Sequence, residues 1–316
     1  MTRIGTSDLD ATLPLDLGGN VFGWTADRDA SFAVLDAFAA AGGTLIDTAD
    51  SYSAWVPGHT GGESEVLIGE WMNRRGNRDR LVVSTKVSQH PEFRGLAADT
   101  VRDAADASLT RLGTDRIDLY FAHFDDEDTP LEETVEAFDA LVRAGKVRYV
   151  GISNYSADRV DRWLQLSEEN GWAKPVALQP HYNLVHRATF ERELAPVVER
   201  GGLGVLPYYG LAAGFLTGKY RSEADLGASP RGRGAARYLT DAGLALLGTL
   251  GEVAAAHAVA PASVALAWLR TRPHVVAPIA SARSAEQLGA VLASTALDLE
   301  PAELAALDTA SAAVEE

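Results

Sequence analysis

Cysteine is absent from all 316 residues. Disulfides, thiolate nucleophiles, Cys-ligated zinc and iron–sulfur clusters are therefore excluded together. Positive charge is scarce: 28 Lys and Arg face 44 Asp and Glu, a formal net charge of −16. Such a surface repels polyanions, which disfavours non-specific binding to nucleic acid or anionic membranes. Any anionic ligand must be held by a local cluster of basic side chains and backbone amides. Long apolar runs are missing too. "MTRIGTSDLDATLPLDLGG" has no signal-peptide core, and the most apolar later region is broken by Glu252, His257 and Pro261. A cytoplasmic protein without a membrane span is the expectation. No Gly-x-Gly-x-x-Gly follows the first strand and no Walker A sequence occurs, so a doubly wound nucleotide fold loses its main support.

With 47% hydrophobic residues and no dividing linker, residues 1–316 read as a single domain with a large core. Short β-rich runs alternate with helical patterns. Strands are expected near 15–19, 44–48, 81–87, 117–123, 147–153, 176–180, 203–208 and 274–280. A helix is expected around Ser64–Trp71, and "ADTVRDAADASLTRLG" places Val101, Ala105 and Leu109 at helical spacing. Thr129, Pro130 and Glu132 form a helix-start signal, with Gly145 as the stop. Eight such βα units in about 300 residues fit a parallel (β/α)₈ TIM barrel. A hairpin from residues 1–14 is expected to cap its N-terminal end. "SAWVPGHTGGES" and "RSEADLGASPRGRGAARYL" stand outside the alternation as long loops, the second carrying Arg231 and Arg233.

In such a barrel the active site lies at the strands' C-terminal ends. The polar residues expected there are Asp47, with Tyr52 in its loop, then Lys86, His123, Ser153, Asn154, Gln179 and Tyr208. Taken singly, each has a bland reading: Asp47 as a turn or cap, Tyr52 as packing, Lys86 as a surface charge. Together, four of them make an acid. A lysine ammonium near the Tyr52 phenol lowers its pKa, a carboxylate keeps the lysine charged and aimed, and a histidine can hydrogen-bond a carbonyl oxygen. A metal site at His123, Asp125 and Asp126 lacks a second ligand cluster, so no metal is expected. His181 reads as structural. Phe22, Trp24 and Trp55 are candidates for an apolar substrate pocket.

"DTADSY", "STKV", "SLTRLGTDRIDLYFAH", "GISNYS", "LQPHYNL" and "GFLTGKY", in this order and spacing, resemble the aldo-keto reductase family along essentially the whole chain. The resemblance implies a catalytic tetrad at Asp47, Tyr52, Lys86 and His123, and hydride transfer between a nicotinamide cofactor and an aldehyde or ketone. It implies nicotinamide contacts from Ser153, Asn154, Gln179 and Tyr208, and a pyrophosphate loop including Leu211, Gly214 and Lys219. Ser281, Arg283 and Gln287 of "SARSAEQL" fall at the adenosine end. A guanidinium pairs well with a 2′-phosphate, so Arg283 favours NADP(H), with NAD(H) as the alternative. Tyr209-Gly210-Leu211, Ala280-Ser281 and Ala290-Val291 depart from the family pattern near the adenine contacts. The aromatic candidates favour an apolar or aromatic carbonyl, with sugar-derived carbonyls as the other class. The rival reading is a cofactor-sensing accessory subunit of the same fold, as potassium-channel β subunits are.

Overall fold

A computed structural model describes residues 2–228 and 232–314, and among these described residues lie ten strands and eleven α-helices. The strands are β1 (Thr2–Arg3), β2 (Asp10–Ala11), β3 (Asp16–Gly18), β4 (Leu45–Asp47), β5 (Val82–Val87), β6 (Ile117–Ala122), β7 (Val147–Ser153), β8 (Pro175–Gln179), β9 (Gly204–Val205) and β10 (Ile279–Ala280). The helices are α1 (Arg28–Ala40), α2 (Glu63–Arg75), α3 (Ala98–Leu112), α4 (Leu131–Arg143), α5 (Ala157–Asn170), α6 (Ala195–Gly201), α7 (Gly232–Ala235), α8 (Asp241–Ala256), α9 (Pro261–Arg270), α10 (Ala285–Ala293) and α11 (Pro301–Ala312).

β3 to β10 form one parallel eight-stranded sheet in the order β10-β3-β4-β5-β6-β7-β8-β9. The free edges meet. Val205 bridges Val275 in parallel, the Val276 N–H donates to Val205 O, and the Ile279 N–H donates to Pro207 O. The sheet therefore curls into the expected (β/α)₈ barrel. β9 and β10 are shorter than the apolar runs that announce them. Pro207 and Pro278 interrupt those runs, because proline has no N–H to give a ladder.

Alternation along the strands assigns the faces. Leu17 pairs with Ile46, and both belong to the layer packed under the helices. Leu45, Val82, Leu119, Phe121, Ala177, Leu206 and Ile279 fill the interior instead. Strand β1 pairs antiparallel with β2, and this hairpin sends Ile4, Leu9 and Ala11 into the same interior cluster beside Leu45, Val82 and Val176. These partners lie at strand starts, so the hairpin plugs the end opposite the site. Gly5 turns it with φ +52, and a Cβ there would sit 2.1 Å from Val176 O. Only glycine allows that approach.

The start of α4 corrects the sequence reading. Pro130 is the N-cap, but the Thr129 hydroxyl donates to Asp126 Oδ2 at 2.7 Å instead of capping the helix. Asp126 also accepts the Leu96 N–H at 2.8 Å, so this aspartate holds the loop. Among the described residues no single helix is long and apolar enough to cross a membrane.

Candidate active site

Asp47 ends β4, and register alone sets its partners. It pairs with Ser84 on β5 and Gly18 on β3, so its side chain points into the barrel mouth. Asp47 Oδ1 accepts from Ser84 Oγ at 2.8 Å and Gln179 Nε2 at 3.0 Å, and Oδ2 accepts from Lys86 Nζ at 2.6 Å. Lys86, two residues on from Ser84, faces the same way and is fully buried. Its three donors are used: on Asp47, on the Thr48 carbonyl at 2.6 Å, and on the Tyr52 hydroxyl at 3.0 Å. Burial alone would drive the ammonium towards neutrality, but Asp47 and Tyr52 more than offset it, and the lysine pKa ends above its ordinary value.

Tyr52 is aimed by its loop. Thr48 Oγ1 donates to Ser64 Oγ, which donates to Gly19 O, both at 2.8 Å. Ser53, at φ +71, donates its hydroxyl to Phe22 O at 3.0 Å. Below this loop Glu65 is fully buried, where its carboxylate accepts from Thr85 Oγ1 at 2.5 Å and Arg111 Nε at 2.6 Å. The phenol does not become an easy acid at rest. Burial pushes its pKa up, Lys86 pulls it down, Asp47 pushes it up again, and it stands at about 12. The sequence expectation of a net lowering by Lys86 is thus corrected: the lysine acts in the expected direction, but desolvation outweighs it.

His123 follows β6, its N–H donating to Val87 O at 3.0 Å, and its ring lies 6.2 Å from that of Tyr52. Burial, with the Lys86 charge, holds this imidazole well below its usual pKa, so it is neutral at physiological pH. A neutral imidazole keeps one N–H to give a substrate oxygen without accepting a proton itself. Asp125 is engaged elsewhere, accepting from Arg159 through two contacts of 2.6 Å, and Asp126 holds the loop before α4. Among the described residues no group of three or more His, Asp and Glu is placed to hold a metal ion.

Tyr52 and His123 open on one end of a cleft of about 570 Å³. Ser153, Asn154, Gln179, Tyr208, Leu211, Gly214, Lys219, Ser281, Arg283 and Gln287 all line it. Asn154, at φ +56, accepts the Tyr208 hydroxyl at 2.6 Å and donates to His123 O at 2.8 Å. Tyr208 lines the cleft, and its ring is stacked against His181. Past Tyr208 the backbone is unusual. Tyr209, Ala212 and Ala213 have positive φ, as does Gly214 at +92. A Cβ on Gly214 would crowd the Lys219 side chain at 3.2 Å. At the far end Ser281 Oγ donates to Asn20 Oδ1 at 2.5 Å, and the Arg283 N–H donates to Gln287 Oε1 at 3.1 Å. Among the described residues the Arg283 guanidinium has no ion-pair partner.

A sequence model of the Aldo/keto reductase family matches residues 14–312. The chain belongs to the aldo/keto reductase family. That makes it a member of an oxidoreductase family whose enzymes generally use nicotinamide cofactors. It is similar to Protein tas of Escherichia coli, 32% identical over 97% of this chain and 96% of that one. It is also similar to Norsolorinic acid reductase stcV of Emericella nidulans, 34% identical over 92% of this chain and 76% of the relative. Aflatoxin B1 aldehyde reductase member 4 of Homo sapiens is 38% identical over 69% of this chain and 63% of its own length.

The aldo/keto reductase cleft differs from the sequence reading at its mouth. Phe22 does not line it. The ring is fully buried in the layer under the helices, and its carbonyl accepts from the Ser53 hydroxyl. Trp24 supports the rim, packing edge-on against Trp55 at 5.5 Å. Trp55 lines the cleft and is 51% exposed. Two further rim aromatics escaped the sequence reading, Phe124 and Tyr209, at 41% and 54% exposure. Each directly follows a residue singled out, His123 and Tyr208, and that adjacency was the available signal. Arg233 is exposed on α7 and does not line the cleft, and Arg231 lies outside the described residues.

Proposed function

We propose that this protein reduces an aldehyde or ketone to the alcohol, reversibly, with NADPH as reductant and Tyr52 as the acid. A bound reduced nicotinamide supplies the hydride. Asn154, Ser153 and Gln179 would hold its carboxamide, Tyr208 its ring, Gly214 and Lys219 the pyrophosphate, and Arg283 the 2′-phosphate. The fit rests on the cleft itself: it runs from the Tyr52 hydroxyl to a guanidinium with no ion-pair partner among the described residues, in a chain of net charge −16.

The observation that carries the reading is the proton path at Tyr52. In this reading His123 donates a hydrogen bond to the substrate oxygen and orients it beside the phenol. As negative charge grows on that oxygen, Tyr52 transfers its proton, and the phenolate left behind sits 3.0 Å from the Lys86 ammonium. Asp47 holds the ammonium in place at 2.6 Å, so no group has to reorganise when charge appears. A phenol with a pKa near 12 stays protonated at neutral pH until a stronger base, the nascent alkoxide, takes the proton. Trp55, Phe124 and Tyr209 around the mouth suit an uncharged aromatic carbonyl. The relatives named for norsolorinic acid and aflatoxin aldehyde reduction are compatible with that substrate class.

The test compares NADPH and NADH oxidation with para-nitrobenzaldehyde for the wild type and Tyr52→Phe. Turnover that prefers NADPH and falls by about 10²–10⁴ in the variant, with NADPH binding retained in a fluorescence titration, is expected. Equal rates in the two proteins would refute the assignment of the acid.

A further inference from the structure

The barrel interior holds a second carboxyl that the chemistry above does not use. Asp16 lies in β3, in the apolar run "LPLDLGG", and is fully buried. Its neighbour Leu17 pairs with Ile46 in the outer layer, and Gly18 pairs with Asp47. Asp16 therefore points to the same interior face as Asp47, one pleat nearer the plugged end. Its strand partner on the other side is Ile279. Among the described residues neither carboxyl oxygen has a hydrogen-bond partner. An ionised carboxylate so placed would be desolvated, unpartnered and close to a second carboxylate, which is among the costliest arrangements in a protein. An apolar side chain would fill this position at no such cost.

We propose that Asp16 is a positioning residue of the reduction, a sealed carboxyl beneath the Asp47–Lys86 pair that sets how tightly Tyr52 holds its proton. The inference rests on the function proposed above. The charged and titratable groups acting on Asp16 are Asp47 from β4 and Lys86 from β5, and Asp16 in turn acts on Tyr52 from the loop after β4. Burial and the Asp47 charge hold Asp16 well above the ordinary carboxylate range, against a smaller opposing pull from Lys86. It therefore holds its proton more firmly than an ordinary carboxyl, and while protonated it leaves the charge of the pair balanced. As pH rises and Asp16 ionises, its negative charge opposes a phenolate at Tyr52 and strengthens the phenol's grip on its proton.

The consequence has a sign in each direction of the reaction. Carbonyl reduction needs the phenol, and alcohol oxidation needs the phenolate. Without Asp16 the tyrosine gives up its proton at lower pH. In the Asp16→Asn holoenzyme, the alkaline fall of reduction and the alkaline rise of oxidation should both move down by about one pH unit. Asp16→Leu, which fills the apolar space without a polar atom, should show the same shift and a raised Tm. A residue kept for folding would instead lower Tm when replaced by Leu. Limbs that superimpose on the wild type in whichever variant folds would overturn the proposal, as would a lowered Tm in Asp16→Leu. Loss of all turnover by the wild type with every carbonyl tried would instead strike the proposed function, and the two failures are thereby distinguishable.

Discussion

Lys86→Met removes the positive charge bonded to the Tyr52 phenol and keeps much of the side chain's apolar volume. The ammonium lies 3.0 Å from the phenol oxygen. At an effective dielectric of about 20, a unit charge at that distance favours the phenolate by about 5 kcal/mol. Only part of that is felt while the proton is in flight, so a loss of about 10²–10⁴ in kcat is expected. Asp47 loses its counter-charge in the same step, and breaking a buried pair typically costs about 3–5 kcal/mol of stability. Ser84 and Gln179 still donate to Asp47, which should keep the loss at the low end. The assay is stopped-flow NADPH oxidation across pH, with NADPH affinity and Tm measured on the same samples. Lys86 does not line the cleft, so affinity should change less than about threefold. Adding Asp47→Asn should recover stability without recovering rate. A Lys86→Met enzyme within tenfold of the wild type at every pH would refute the charge argument.

Arg283→Ala should weaken NADPH binding by about 10- to 100-fold and NADH binding hardly at all, since a charge-assisted contact to the 2′-phosphate is worth about 1.5–3 kcal/mol; equal losses for both cofactors in fluorescence titration would place the guanidinium elsewhere. Trp55→Ala should lower kcat/KM for aromatic aldehydes by about tenfold and for short aliphatic ones by less than threefold, as read from a matched substrate series. Asp50→Asn should raise Tm more at pH 7 than at pH 4. Burial and the nearby Glu65 hold the Asp50 carboxyl well above its ordinary pKa, so its favourable contribution is complete below about pH 3.9 and is lost as pH rises towards the folded value. An equal gain at both pH values would show that the group is not protonated in the folded protein.

Strand ends were the legible part of this sequence. Asp47, Lys86 and His123 each terminate an apolar run, and period-two alternation carries them to the interior face that the barrel requires. The tyrosine in the following loop could be placed only because its motif has a known geometry. Side-chain direction beyond a strand was less legible. Phe22 looked like rim and is core, since an aromatic in a turn gives no periodic signal of its face. The Thr129 and Glu132 spacing looked like a capping box, but a tertiary partner, Asp126, took the threonine hydroxyl. The phenol's affinity for its proton was misjudged for a similar reason. The lysine is visible in the sequence, whereas the burial that outweighs it is a property of the whole barrel.

The sheet's closing seam has a consequence for how the molecule breathes. β5, β6 and β7 are joined by long runs of paired residues, whereas the junction between residues 205–207 and 274–279 rests on one bridge and a few backbone bonds. Amide hydrogens there should exchange with solvent earliest among the barrel strands, at a free energy below that of global unfolding. The cleft straddles this junction, with Tyr208 on one bank and Ile279, Ser281 and Arg283 on the other. A dinucleotide lying across it would lace the two banks together, and its binding would lend the cylinder the stability that the seam itself lacks.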